Sequence, residues 1–495
     1  ILIQSEKEGK TPEEYVEYWN KRDFEDFTAL NIKFDFFYKT SSQENKQFVQ
    51  DVFKKLEQAG HIYENEIIQF YCNTDKKFLP DRYVIGTCPY CKADDQYSDL
   101  CEKCGRVPEE IENPHCSICG QPPTKEKTKH YFFKLKNFSN QLSQYLENNQ
   151  NLQKDVKKYV QNWIKEGLTD WDITRDISWG IPIPVDGEKK KVFYGWFDNH
   201  LAYISSTIKF LNDSGKDGKK FWNDSDIYHF IGKDIVYHHY LFLPAMRLGI
   251  SEEYKLPDYI PTRGHLTLQS RKISKSRNWY IGLKDFLGIF PADYLRFYLI
   301  SINPYSQDDL NFNWDEFATK INSELIGNLG NLVNRVLGFT LKSFDGVVPD
   351  PDKFDNMDKE SEKMIKEFVT ELSILMEKNH LDRALKMILQ FSAHFNQYFQ
   401  HKEPWKNGPG TNSCVFLSVN AVRSLAIAIY PFMPDSSQKI WVQLGLEGSV
   451  SAQMFDQISN ITLNQGHKLG SVSPLFEKVE ESVIDEQKSK LGDSN

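Results

Sequence analysis

A chain of 495 residues, 40% of them hydrophobic, is too long for a single core and suits about three domains. Lys and Arg total 60 against 69 Asp and Glu, a net charge of −9 that excludes a protein gripping nucleic acid by bulk charge; an RNA partner must meet local basic patches. The most apolar long stretch, Phe416 to Met433, is broken by Asn420, Arg423 and Pro431 and is not read as a membrane span, and no signal peptide is visible.

The chain opens on Ile1-Leu2-Ile3-Gln4, which reads as the middle of a fold, so a fragment is expected. Thr11-Pro12-Glu13-Glu14 sets an N-cap, a proline at the first helical position and acids in the first turn, predicting a helix over 11–22. Phe48, Val49, Val52, Phe53 and Leu56 repeat at helical spacing, and Gly60 ends that run as core packing. Of eight cysteines, six form Cys-x-x-Cys pairs, a spacing suited to metal in a reducing compartment, the cytosol. Cys88, Cys91, Cys101 and Cys104 lie in two tight turns nine residues apart, which can present four thiolates to one tetrahedral zinc ion. Four protein ligands leave no position for substrate, so the site is structural. The third pair, Cys116 and Cys119, still needs partners.

Residues 137–166 read as helical. The prolines of Trp179-Gly180-Ile181-Pro182-Ile183-Pro184 mark an extended stretch, and Lys189-Lys190-Lys191 an exposed turn without function. Val192 to Asp198 is short, aromatic and β-like, with helical spacing after it; a strand feeding a helix is the unit of a doubly wound sheet, where ligands bind at the carboxyl ends of strands. In Gly232-Lys233-Asp234-Ile235 a glycine at a strand end admits a nucleotide, and a carboxylate can hold ribose hydroxyls. Lys272-Ile273-Ser274-Lys275-Ser276 is a basic loop between the extended run Gly264 to Leu268 and the apolar-periodic segment Phe286 to Ile300; two mobile ammonium groups three apart can follow a phosphate into the transition state. Beyond it the pattern turns helical. Phe317, Ile321, Leu325, Leu329, Leu332 and Val336 form one apolar stripe. Asn331 and Arg335 on another face suit a base edge and a phosphate, or simply solvent.

Lys272 to Ser276 is similar to the Lys-Met-Ser-Lys-Ser loop of class I aminoacyl-tRNA synthetases, with Ile273 for Met. Together with Phe230-Ile231-Gly232-Lys233-Asp234-Ile235-Val236-Tyr237 and Phe290-Pro291-Ala292-Asp293-Tyr294-Leu295-Arg296, it makes nearly the whole chain resemble the methionyl-tRNA synthetases. The resemblance implies an α/β, Rossmann-type catalytic domain with a zinc-knuckle connective insertion, followed by an all-α anticodon-binding bundle. The implied boundaries are 1–59 for the first part of the Rossmann domain, 60–172 for the insertion, 173–260 for its second part, 261–325 for the signature-loop and stem-contact region, and 326–495 for the helical domain. A His-x-Gly-His motif, which the family carries upstream, does not occur in this sequence.

Function is likewise implied: ATP-dependent activation of methionine and its transfer to tRNA(Met). Lys272 and Lys275 are the implied catalytic residues. Gly232, Lys233, Asp234, His265, Ser274 and Ser276 are implied for ATP, with Mg²⁺ on its phosphates, and Trp196, Asn199, Tyr203 and His239 for methionine. Cys72 and Asp75 are the implied partners of Cys116 and Cys119 in a second zinc site. Asn331, Arg335 and Trp405 are implied for the anticodon, Trp405 by stacking on an unpaired base. A cytoplasmic monomer without membrane contact is expected. The rival readings are a sister synthetase for Leu, Ile or Val, and a non-catalytic tRNA-binding or zinc-structural protein. The short cysteine-rich insert and Trp405 weigh against the first, and the absent His-x-Gly-His motif makes the second plausible.

Overall fold

The structure, a computed structural model, describes residues 1–98, 101, 103–104, 106, 108–185, 187, 191–251, 253–275 and 277–492. The chain divides into two compact units, Ile1–Arg22 with Phe34–Pro261, and Asp23–Lys33 with Thr262–Asn495. The predicted first helix runs on to Ala29, opened by a reciprocal cap in which Glu14 N–H donates to Thr11 Oγ1 at 3.1 Å and Thr11 N–H to Glu14 Oε2 at 2.9 Å.

In the first unit, helix Gln43–Gln58 buries Val49, Val52, Phe53 and Leu56, as their spacing predicts. Gly60 stands at φ +75°, and His61 N–H reaches back to Leu56 O at 2.9 Å, closing the helix with a left-handed cap that glycine adopts without strain. The helical stretch predicted for 137–166 is two helices, Ser139–Asn148 and Lys154–Glu166. Residues 228–231 pair in parallel with 259–261 through His229 N–H to Tyr259 O at 2.9 Å and Ile231 N–H to Pro261 O at 3.0 Å. The helical segment 233–249 connects the two stretches, which is the crossover unit of a doubly wound sheet. Val192–Phe193 is a strand, but Trp196, Phe197 and Asp198 already belong to the first turn of helix Gly195–Asp213. The longest ladder is antiparallel, Ile62–Cys72 against Thr124–Phe133, and the cysteine turns lie beyond its Cys72–Thr124 end.

Lys191 is not the exposed turn residue that the lysine run suggests; Lys189 and Lys190 lie outside the described residues. The residue is only 5% exposed and its ammonium pairs with Asp176 and donates to Thr128 Oγ1 at 3.0 Å. Asp176 also accepts from Thr128 Oγ1 at 2.9 Å and meets His130 Nε2 at 2.9 Å, while His130 Nδ1 meets Asp172 at 2.7 Å. A buried ammonium needs such a partner, which outweighs the tendency of lysine to stay in water.

The second unit carries a hairpin: Leu266–Leu268 pairs antiparallel with Arg271–Lys272 and parallel with Leu310–Phe312. Gln269 and Ser270 both sit at positive φ, 49° and 60°, the two-residue turn that matches strand twist. Phe286, Phe290, Tyr298, Phe312, Trp314 and Phe317 pack edge-on and stacked beneath it. The predicted stripe from Phe317 to Val336 is fully buried. Its repeated spacing of four drifts about 40° per step on an α-helix, and a wider π-helical segment, Ile321–Gly330, absorbs the drift between helices Trp314–Lys320 and Asn331–Ser343. Helix Thr411–Ile429 is buried at every residue but Asn412, so its apolar composition is that of a helix at the centre of a bundle.

Both ring nitrogens of His130 face carboxylates, so both must donate and the ring is imidazolium. Burial lowers its pKa, but the bonds to Asp172 and Asp176 outweigh this and hold it above the ordinary 6.5. A folded-state value above the unfolded one gives stabilisation that is complete below pH 6.5 and lost as pH rises through the folded value. The difference in unfolding free energy between the protein and His130→Asn, measured in urea, should be largest below pH 6.5 and shrink as pH rises above it; a difference that grows with pH contradicts this charge state.

Candidate functional site

In the second unit the basic loop leaves the hairpin at Lys272, and Ser274 and Trp279 exchange two backbone bonds of 2.9 Å that close residues 274–279 into a ring carrying Lys275. Lys272 and Lys275 are both solvent-exposed, Ser274 is partly buried, and Ser276 lies outside the described residues. The root of the loop is rigid: Trp279 Nε1 donates to Leu268 O at 2.9 Å, and the Arg271 guanidinium lies 4.3 Å from the Trp279 ring centre. At Gly264 a Cβ would come within 1.9 Å of Asp308 O, so only glycine allows the backbone approach there. His265, exposed, anchors that approach through its backbone, donating N–H to Asp309 Oδ1 at 2.8 Å.

In the first unit, Trp196, Asn199 and Tyr203 fall at helical spacing on helix Gly195–Asp213, and of the three it is Tyr203 that meets His239. Tyr203 Oη lies 3.1 Å from His239 Nε2, and His239 Nδ1 lies 3.0 Å from Ile235 O. A carbonyl can only accept, so Nδ1 carries the proton and Nε2 accepts from the tyrosine: a neutral tautomer is dictated by the backbone. Burial, the largest influence, pushes the His239 pKa down to about 4, and likewise that of His238. His238 stacks on Trp196 at 4.3 Å and on Trp171 at 4.8 Å, and Trp171 touches Phe242 at 3.6 Å. His200 and His229 are buried beside the same rings, both held well below 6.5 by burial. The result is an aromatic cluster of neutral histidines, with the buried Arg247 guanidinium also pressing His200, His229 and His239 towards the neutral form; its rings suit a polarisable apolar group. Trp171, His200, His229, His238 and Phe242 escaped sequence reading because isolated aromatic and histidine residues carry no spacing signal. Gly232 and Lys233 are partly buried and Asp234 exposed in the turn that opens the crossover; a Cβ on Gly232 would lie 2.6 Å from Asp234 Oδ1.

The predicted cysteine groups come together. Cys88 and Cys104 sulfurs are 3.8 Å apart, Cys91 and Cys101 3.6 Å, and all four ligand atoms lie within 4.8 Å of one another. Four sulfurs at about 2.3 Å from one tetrahedral ion stand about 3.8 Å apart, so this group fits a divalent metal. In the second group, Cys72 and Cys119 are 3.4 Å apart, and Asp75 Oδ2 lies 3.2 Å from Cys72 and 3.1 Å from Cys116. Backbone N–H groups of Asp75, Cys104 and Ile118 point at thiol sulfurs at 3.3, 3.4 and 3.4 Å, the pattern that stabilises thiolates in metal knuckles.

In the helical part of the second unit, Arg335 lies 5.0 Å from the Trp405 ring centre and 5.3 Å from that of Phe399, and its Nη2 donates to Gln400 Oε1 at 2.5 Å. Asn331 Nδ2 donates to Asn396 Oδ1 at 2.9 Å. Trp405 remains 43% exposed on the turn Pro404–Lys406, which Glu403 enters and Asn407 leaves at positive φ. The three predicted residues thus share one surface, and Asn396 and Gln400, 65 residues from their partners, complete it.

A parallel crossover unit, a Lys-Ile-Ser-Lys-Ser turn rooted beside a parallel strand pair and a helical bundle after it define a class I aminoacyl-tRNA synthetase. Residues 1–337 match the family described as tRNA synthetases class I (M), and residues 348–495 the anticodon binding domain of methionyl tRNA ligase. The methionine–tRNA ligase of Methanopyrus kandleri is 41% identical over 99% of this chain and 74% of its own length, and that of Methanosphaera stadtmanae 36% over 99% and 74%. The crystal structure of Mycobacterium tuberculosis methionyl-tRNA synthetase bound by methionyl-adenylate shares the fold, with a TM-score of 0.76 at 22% identity over 96% of this chain and 89% of that one. The chain belongs to the methionyl-tRNA synthetase family.

His239 should remain in the single neutral Nδ1–H tautomer from about pH 9 down to about pH 5, because burial holds its pKa near 4. Nitrogen-15 shifts of labelled histidine report this directly, and an imidazolium signature at pH 6 is the contrary result.

Proposed function

We propose that the protein is a methionine–tRNA ligase. The methionine carboxylate oxygen bonds to the α-phosphorus of ATP as the bond to the β-phosphate oxygen breaks, giving methionyl-adenylate and pyrophosphate. A terminal ribose hydroxyl of tRNA(Met) then takes the methionyl group, and AMP leaves. The observation that carries this reading is the family match along the whole chain, with the signature loop intact at both lysines. The substrate supplies its own nucleophile, so the protein has to supply position and charge. Lys272 and Lys275 stabilise the charge developing on the departing pyrophosphate, and Ser274, Ser276 and His265 accompany them. Gly232 admits the nucleotide closely, Asp234 holds ribose hydroxyls and Lys233 stands beside them. Mg²⁺, held mainly by the ATP phosphates, neutralises part of their charge.

Trp196, Asn199, Tyr203 and His239 receive the methionine side chain. The sulfur gains from aromatic edges, and a recess with neutral histidines avoids desolvating a charge beside it. Asn331, Arg335 and Trp405 meet the anticodon, the exposed face of the indole stacking on a base for about 1 to 3 kcal/mol. Zinc suits both cysteine groups, held by Cys88, Cys91, Cys101 and Cys104, and by Cys72, Asp75, Cys116 and Cys119; there it supplies folding energy rather than chemistry. Thiolate ligands of this kind persist in the reducing cytosol.

In the full-length protein, methionine and not Leu, Ile or Val should support exchange of pyrophosphate into ATP; exchange with one of the other three reassigns the substrate. Lys275→Ala should lower adenylate formation by about a hundredfold or more with methionine affinity little changed, and an equal rate removes Lys275 from the mechanism. Cys101→Ala should reduce the zinc content of the purified protein by one ion per chain by mass spectrometry of metals and lower its thermal midpoint; unchanged zinc excludes the first site.

A further inference from the structure

The exit of the signature loop is held from outside by a segment more than two hundred residues away in sequence. Gly492 N–H donates to Asn278 O at 2.9 Å, and Asn278 Nδ2 donates to Lys490 O at 3.2 Å. Two bonds to one residue fix both its position and its rotation, and they are made by backbone groups on the other side. Close approach is built in: a Cβ on Gly492 would lie 2.3 Å from Arg277 O and 3.3 Å from Asn278 Cβ. Asn278 itself stands at φ +49°, a conformation asparagine tolerates better than most residues.

The holding segment is itself anchored. Helix Glu481–Ser489 buries Ile484, Lys488 pairs with Asp315 at 2.5 Å, and Leu491 packs against the core of the second unit. Upstream, Asn322 and Val479 exchange two bonds of 2.9 Å. Asp315 and Asn322 lie on the buried helical run from Trp314, so the segment joins the loop exit to the frame of its own unit.

We propose that Lys490 and Gly492 form a backbone clamp on the exit of the Lys-Ile-Ser-Lys-Ser loop, and that Asn278 and Gly492 are positioning residues for its lysines. Residues 274–279 form a hydrogen-bonded ring, with Asn278 N–H also donating to Lys275 O at 3.2 Å, so the ring turns largely as one piece. Fixing Asn278 therefore limits the arc through which the Lys275 ammonium swings and raises the time it spends where a phosphate must be met. The inference rests on the proposed role of the loop in methionine activation.

The test uses Asn278→Gly, which relieves the positive φ but removes the amide donor, and Gly492→Val, which forces the backbones apart, both in the full-length protein. Each should lower kcat for methionine-dependent pyrophosphate exchange by about tenfold or more, with KM for methionine within about twofold of the parent. The double variant should be little worse than either alone, because both break one clamp. Trypsin should cut the folded variants faster at Lys275 and Arg277 than it cuts the parent, a readout independent of activity. Parent-like kcat in either variant, additive losses, or an unchanged rate of trypsin cutting overturns the clamp. A parent that exchanges no pyrophosphate with methionine overturns the functional reading instead, and the trypsin comparison still judges the clamp.

Discussion

An ammonium group can follow a phosphate along a reaction path only if the backbone beneath it is fixed at its roots and short at its tip. In the second unit that constraint is met by one close approach, Gly264 against Asp308, where no side chain fits. The approach sets the parallel register of Leu266–Leu268 against Leu310–Phe312, and Asn311 Oδ1 then accepts from Ser270 N–H at 2.6 Å, holding the left-handed turn. The turn returns the chain as Arg271–Lys272, and Trp279 ties the far side of the loop to Leu268. Only the few residues between these ties carry the signature, so little of the backbone remains to be ordered. That arrangement suits transition-state stabilisation, since ordering a long loop at each turnover would oppose binding.

Charge is handled oppositely in the two units. The signature loop keeps its cations in water, where they cost nothing to maintain. Around Trp196 and His239, burial leaves four histidines neutral, and Tyr203 and Ile235 O between them fix the tautomer of His239. Arg247 is the exception: fully buried, its Nη1 donating to Lys255 O at 2.6 Å, it has its pKa pushed down to about 9 by desolvation. A net charge of −9 is therefore no obstacle to binding anions, because the field that matters is local.

Much of this was legible in the residue order, and the division has a physical basis. Three Cys-x-x-Cys pairs mark candidate metal-holding groups because a tight turn of that length fixes the separation of two sulfurs. Val49 to Leu56 identifies a buried helix because 3.6 residues make a turn, and Phe317 to Val336 identifies a helical run, though its spacing of four needed a π-helical segment to keep one face. The basic loop identifies itself because its chemistry needs two ammonium groups and a short reach. Each of these depends on distances along the chain shorter than about a dozen residues, or on letters whose chemistry admits few substitutes. Tertiary structure decided the rest. Lys191 is buried, against the polarity of its neighbours, because Asp176 and Thr128, the latter 63 residues away, satisfy it. His238 joins the recess, Gln400 meets Arg335 and Gly492 meets Asn278 because folding brought distant backbone into reach, and no local periodicity encodes a partner at such range.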